Sequence, residues 1–181
     1  MRISDVSNVT GVPLSTLKDL RHRSILELAA PGFVDDPDEM RRWGSFSAPA
    51  VICIMGADEV RKLYGLSWQE AIMFVKTAMR KVWIPGSEHI RFFDLRAVDQ
   101  EIWVGRFDFQ KAEPDLGTSW NYFSGPIEQV PSKLAAILQR RDNQKPKNDV
   151  AGCIMINASR LVREFWDRAK AQGALRDWEN R

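Results

Sequence analysis

Val6 and Val9 lie three positions apart behind Ser4, a residue able to cap a helix, and predict a short helix over Ser4–Thr10 that closes at Gly11. Pro13 suits the first turn of the next helix, because its missing N–H is one that a helix start leaves unpaired in any case. Two short helices are therefore expected around a Gly turn. From Ser24 to Ser47 the helical period is lost, and "APGFVDDPDEMRRWGSF", with its prolines, glycines and isolated aromatics, reads as an extended loop or a small hairpin. Val51, Ile54, Met55, Val60 and Leu63 then fall on one helical face and predict a helix ending at Gly65, weakened in the middle by Gly56. Ser67-Trp68-Gln69-Glu70 is a capping box, opening a further helix through Ile72, Val75 and Met79.

Pro85-Gly86 in "WIPGSE" marks a change of pattern. "HIRFFDLR" and "EIWVGRFDF", rich in aromatic and β-branched residues and separated by "AVDQ", predict a β-hairpin, and "TSWNYFS" predicts a third strand. Ser132–Arg141 reads as a helix, "DNQKPKND" as a solvated loop and "VAGCIMI", by its continuous apolar run, as a buried strand. Ala158, Leu161, Val162, Phe165, Trp166 and Ala169 give a last helix one wide apolar face, suited either to covering the C-terminal sheet or to pairing two chains. The expectation is an α+β protein with a helical first domain over 1–82 and a small second domain over 83–181, a hairpin-rich sheet with two helices.

The 181 residues, 44% apolar and 28% charged, suffice for one sizeable core or two small ones. No run approaches the roughly 18 apolar residues of a membrane span, and "MRISDVSNVTG" lacks the apolar core of a secretory signal, so a cytoplasmic location is expected. Cys53 and Cys153 each sit in an apolar run and read as small hydrophobes. With His22 and His89 the only histidines and no Cys-x-x-Cys spacing, neither a metal nor another cofactor is expected. Asn8-Val9-Thr10 and Asn157-Ala158-Ser159 are chance matches to the glycosylation pattern.

A net charge of +2 does not by itself announce a nucleic-acid partner, but the charge is segmented. Arg2, Lys18, Arg21 and Arg23 outnumber Asp5 and Asp19 in the first helices, and the acidic "DDPDE" is followed at once by Arg41 and Arg42. On a helical wheel the helix from Pro13 to Arg23 places Leu17 and Leu20 on one side and Ser15, Lys18, Asp19 and His22 on the other. One face packs, and the other carries short polar and basic side chains of the kind that enter a major groove.

"ISDVSNVTGVPLSTLKDLRHRSIL" resembles the opening helix-turn-helix of MerR-family transcription regulators. Thr10-Gly11-Val12, Thr16-Leu17-Lys18 and Ile25-Leu26 match the family's Thr-Gly-Val, Thr-Leu-Arg and Gly-Leu-Leu elements without a gap, and "YGLSWQEA" is similar to the segment that begins its fourth helix. The resemblance implies a winged helix-turn-helix over about residues 1–82, with residues 24–46 as the wing and Trp43 and Phe46 where the family usually has two tyrosines. It implies a sequence-specific DNA-binding transcription regulator of bacterial or phage origin, acting on double-stranded DNA as a homodimer. Ser15 stands where an arginine is usual, Asp19-Leu20 replace a pair that is often Tyr-Tyr, and Gly44 replaces the wing arginine. Lys18, Arg21, Arg23, Arg41 and Arg42 are left to neutralise phosphates, so the candidate DNA-binding set is Ser15, Thr16, Lys18, Asp19, Arg21, His22, Arg23, Arg41, Arg42 and Trp43.

The family's coiled-coil helix has no counterpart here, and the second half is expected to dimerise or to sense a small-molecule or protein effector. An excisionase-like architectural factor and a small-terminase-like packaging factor share the winged-helix reading. Asp94, Asp99, Glu101 and Asp108 bring carboxylates near one hairpin, but their near alternation with apolar residues is that of a half-solvated strand, and no nucleophile accompanies them, so no enzyme is expected. Trp103, Trp120, Tyr122 and Phe123 suit either core packing or a partner-binding surface.

Overall fold

The computed structural model describes residues 1–29, 46–79, 95, 99–110, 118–142 and 149–174. Most of the expected wing, including Arg41, Arg42 and Trp43, lies outside these residues, as do His89, Asp94 and the expected strand "HIRFFDLR" apart from the buried Leu95. Within them, six helices and a three-stranded antiparallel sheet make a mixed α+β structure. The chain divides into two compact units, one formed by Met1–Lys76 together with Arg160–Arg181 and the other by Thr77–Ser159. In this division the last helix, from Arg160 on, groups with residues 1–76.

In the first unit, α1 spans Ile3–Thr10 and buries Val6 and Val9. Its start is fixed one residue earlier than Ser4 suggests: the Arg2 N–H donates to the Asp5 carboxylate at 2.9 Å, and Ser4 caps nothing. Gly11 closes it in the left-handed region (φ 76°), where a side chain would be strained, and donates its N–H to the Ser7 carbonyl at 2.9 Å. Helix α2, Leu14–His22, follows Pro13 at the cap and buries Leu17 and Leu20. A 3-10 turn over Leu26–Ala29 comes next.

Helix α3, Ala48–Tyr64, begins where the Ser47 hydroxyl accepts the Ala50 N–H and ends at Gly65, again left-handed at φ 70°. It is not the one-faced helix expected. Ala50 through Asp58 are all buried without a break, while Leu63, assigned to the apolar face, is 63% exposed. The small Ala50, Gly56 and Ala57 allow neighbours to cover every side of the helix. Helix α4, Trp68–Met79, carries the expected capping box: Ser67 N–H donates to Glu70 Oε2 at 2.9 Å and Glu70 N–H to Ser67 Oγ at 3.3 Å. Ala71, Ile72, Phe74, Val75 and Ala78 are its buried residues.

Helix α6, Ala158–Ala171, buries Leu161, Val162, Phe165 and Ala169 within the single chain. Arg160 pairs with Glu59 of α3, and Arg168 donates to the Val9 carbonyl of α1. The apolar face of this helix is therefore buried within its own chain, and from Arg160 on the helix groups with the first unit.

In the second unit, β1 (Trp103–Gln110) is the central strand of the order β2-β1-β3, antiparallel to both β2 (Thr118–Gly125) and β3 (Asp149–Asn157). Alternation sends Phe107 and Phe109 of β1 and Phe123 of β2 to one face, where Val130, Leu134, Ile137 and Leu138 of α5 (Val130–Asp142) cover them. The Phe107 and Phe123 rings stack with centroids 4.6 Å apart. The β3 run, expected to be wholly buried, is buried only at Ile154 and Ile156, whereas Val150 and Ala151 are exposed. Its partner among the described residues is β1 alone, so the start of this strand meets solvent.

Candidate nucleic-acid interface

The turn between α1 and α2 is built by three residues of the sequence motif. Thr10 Oγ1 donates to the Val6 carbonyl at 2.7 Å and accepts the Val12 N–H at 3.1 Å, which ties the end of α1 to the residue after the turn. Gly11 supplies the left-handed conformation, and Val12 packs its side chain inward at 1% exposure. Ser7 Oγ closes the arrangement by donating to the Val12 carbonyl at 2.7 Å. A turn with its polar groups satisfied on both sides directs α2 away from α1 in one orientation.

On α2 the expected division of faces is present. Leu17 and Leu20 are inside at 0% and 1% exposure, while Ser15, Lys18, Asp19, Arg21, His22 and Arg23 are exposed and Thr16 is half-buried. Asp19 lies 3.6 Å from Arg23, an exposed ion pair one turn apart. Sequence spacing did not single out this pairing, which partly neutralises the carboxylate on the presented face. The C-terminus of α2 gathers Arg21 and His22 in its last turn, the end where cations are favoured. Arg41, Arg42 and Trp43, the remainder of the candidate set, lie outside the described residues.

Two side chains from the far end of the chain support this region and left no local signal in the sequence. Arg168 Nη1 donates to the Val9 carbonyl at 3.4 Å, and its Nη2 meets Glu164 Oε2 at 3.1 Å. Arg160 joins Glu164 to Glu59 of α3. Thr10, Met55, Asp58, Lys62, Leu161 and Arg168 are among the residues lining a cleft in the same unit, but its charged groups pair with one another: Asp58 with Lys62, Arg160 with Glu59 and Glu164, and Arg168 with Glu164.

The carboxylates of the second unit do not converge. Asp108 is held by Arg106, with Oδ1 and Nε 2.6 Å apart, and Glu101 accepts from the Asn157 amide. The aromatic side chains divide: Phe123 is core, Trp103 and Tyr122 are half-buried, and Trp120 is 54% exposed with the Arg106 guanidinium 5.4 Å from its ring centroid. Burial pushes the Cys53 thiol up to about 12, and burial followed by the neighbouring Asp108 charge also raises that of Cys153. Of the two glycosylation-like motifs, the acceptor Asn157 is buried, whereas Asn8 is exposed with its Thr10 buried. Among the described residues no cluster of three or more His, Cys, Asp or Glu is placed to hold a metal ion, and no helix is long and apolar enough to cross a membrane.

Comparison with protein-family models, with curated proteins and with solved structures finds no match for this chain.

Proposed function

We propose that this chain is a sequence-specific DNA-binding protein, a transcription regulator of the bacterial or phage type, that reads the major groove with α2. The observation that carries this reading is the division of α2: Leu17 and Leu20 fully inside, and Ser15, Lys18, Asp19 and His22 together on the exposed side of a helix held by a tight turn. B-DNA's major groove admits one helix and offers hydrogen-bond donors and acceptors along its base edges. Ser15, Asp19 and His22 supply groups able to meet them, and Lys18, Arg21 and Arg23 supply cations for flanking phosphates. In this reading residues 24–46, with Arg41, Arg42 and Trp43, form the wing on the backbone, as the resemblance to MerR-family regulators implies.

A single helix of this size covers a short site, so a specific regulator places two copies on two half-sites. With Leu161, Val162 and Phe165 buried in their own chain, another surface joins the copies. The test is selection of bound sequences from a pool of randomised duplexes by the full chain, followed by the same selection with Ser15→Ala and His22→Ala. The reading expects one enriched motif, repeated with two-fold symmetry, whose preference changes at separate positions in the two variants. Failure to enrich any sequence would sink it.

A further inference from the structure

Helix α1 ends without a cation of its own. No basic residue occupies its last turn, although the final carbonyls of a helix lack intrahelical donors and favour positive charge. The cation is instead supplied from 159 positions away, where Arg168 of α6 donates to the Val9 carbonyl. The guanidinium is not free to choose its position. Glu164 holds its second nitrogen, Arg160 holds Glu164, and Glu59 of α3 holds Arg160, so a chain of ion pairs runs from α3 through α6 to the end of α1. Burial of Leu161, Val162, Phe165 and Ala169 fixes the axis of α6 beneath this chain.

What Arg168 grips is the last turn before the bend that aims α2. Two residues beyond Val9, Gly11 turns the chain in the left-handed region, and Thr10 and Ser7 clamp Val12 across the bend. A shift of the α1 terminus is therefore passed through this bend to the start of α2, whose later turns Leu17 and Leu20 anchor in the core. We infer that Arg168 is a positioning residue for the DNA-reading helix, and that the reading unit is assembled from both ends of the chain. This rests on the reading of α2 proposed above. Arg168 acts through α1 and makes no contact with DNA in this account.

The experiment uses the full chain as wild type, Arg168→Ala, Arg168→Lys and Glu164→Gln, with two readouts. The first is amide hydrogen exchange at Gly11 and Val12 without DNA; the second is affinity for a selected duplex across a salt series. Arg168→Ala is expected to raise exchange at both amides and to weaken duplex binding about threefold to tenfold with an unchanged salt slope. Arg168→Lys should restore part of both effects, because one charged donor remains, and Glu164→Gln should give a smaller change in the same direction. Unchanged exchange at Gly11 and Val12 in Arg168→Ala would overturn the positioning role. So would a salt slope reduced by about one phosphate contact, which would make Arg168 a DNA ligand. Equal duplex affinity with altered exchange would reduce Arg168 to a stabilising residue and also overturn it. If the wild type prefers no duplex, the reading of α2 fails by itself, and the exchange data still decide whether Arg168 holds the bend.

Discussion

Asp19 and Arg23 face each other one turn apart on the exposed side of α2, the carboxylate oxygen 3.6 Å from the guanidinium nitrogen, with both side chains nearly two-thirds exposed. So exposed a pair adds little stability, and under the proposed DNA-reading role of α2 its importance lies in what each partner would do on a duplex. A carboxylate near phosphates is unfavourable unless it accepts a hydrogen bond, for example from cytosine N4. Arg23, meanwhile, is partly occupied by Asp19. Asp19→Ala is therefore expected to relax base preference at one position while leaving non-specific binding equal or stronger, as measured by competition between selected and random duplexes. A uniform loss across all sequences would mean that Asp19 reads nothing.

Ser24 ends the α2 region at φ 55°, the one non-glycine among the described residues in the left-handed region. An L side chain there costs roughly 1–2 kcal/mol, against which glycine loses some advantage through its freer unfolded chain. Ser24→Gly should raise stability by up to about 1 kcal/mol. A shift of the denaturant midpoint to higher concentration, at constant slope, is the expected result.

Gly105 sits opposite Phe123 in the β1–β2 register, and a Cβ added there would approach the Phe123 ring to 2.5 Å and the Ile154 carbonyl to 2.6 Å. One of these neighbours is backbone and cannot swing aside. Gly105→Ala should cost about 1–3 kcal/mol of stability by overpacking the sheet. Gly152→Ala is the control, since a Cβ there meets no atom within 4 Å, and its effect should stay within about 0.5 kcal/mol.

Cys53 is buried, its Sγ 3.7 Å from the Ile72 carbonyl, and its thiol is raised from 9.0 to about 12 by burial. The folded state thus keeps this proton over a pH range in which the unfolded chain has lost it. Stability therefore falls as pH rises from about 9 towards about 12, by at most about 1.4 kcal/mol per pH unit from this group. Cys53→Ala should show a shallower loss of stability over that range than the wild type, measured as the difference in denaturant midpoints at pH 7 and pH 10. Equal losses in the two proteins would contradict the assignment.

What was legible in the sequence was local. Thr10-Gly11-Val12 and the Ser67 to Glu70 box act over three or four residues, so their spacing alone carries the geometry, and both appear as read. The two faces of α2 follow from the same short-range periodicity. The strands β1 and β2 and helix α5 were readable from residue type and period. Helix α3 was misread because periodicity reports a helix with one buried face, and a helix covered on all sides has no polar face to betray it. The last helix was recognised, but an apolar stripe does not say which surface it meets, and only the folded chain brings Phe165 into the first unit. Gly105 and Arg168 owe their roles to neighbours far away in sequence, so no spacing rule marks them.

The central claim, that α2 lies in the major groove of duplex DNA, is tested most directly by equilibrium binding of wild-type chain and Lys18→Ala to one selected duplex and one scrambled duplex across a salt series. Lys18 is exposed on the presented face of α2, and each phosphate that a lysine neutralises contributes about 0.9 to the slope of log affinity against log salt. The account predicts that the wild type prefers the selected duplex and that Lys18→Ala weakens binding to both, with a slope shallower by about one. Superimposable affinities and slopes for the two proteins would contradict it.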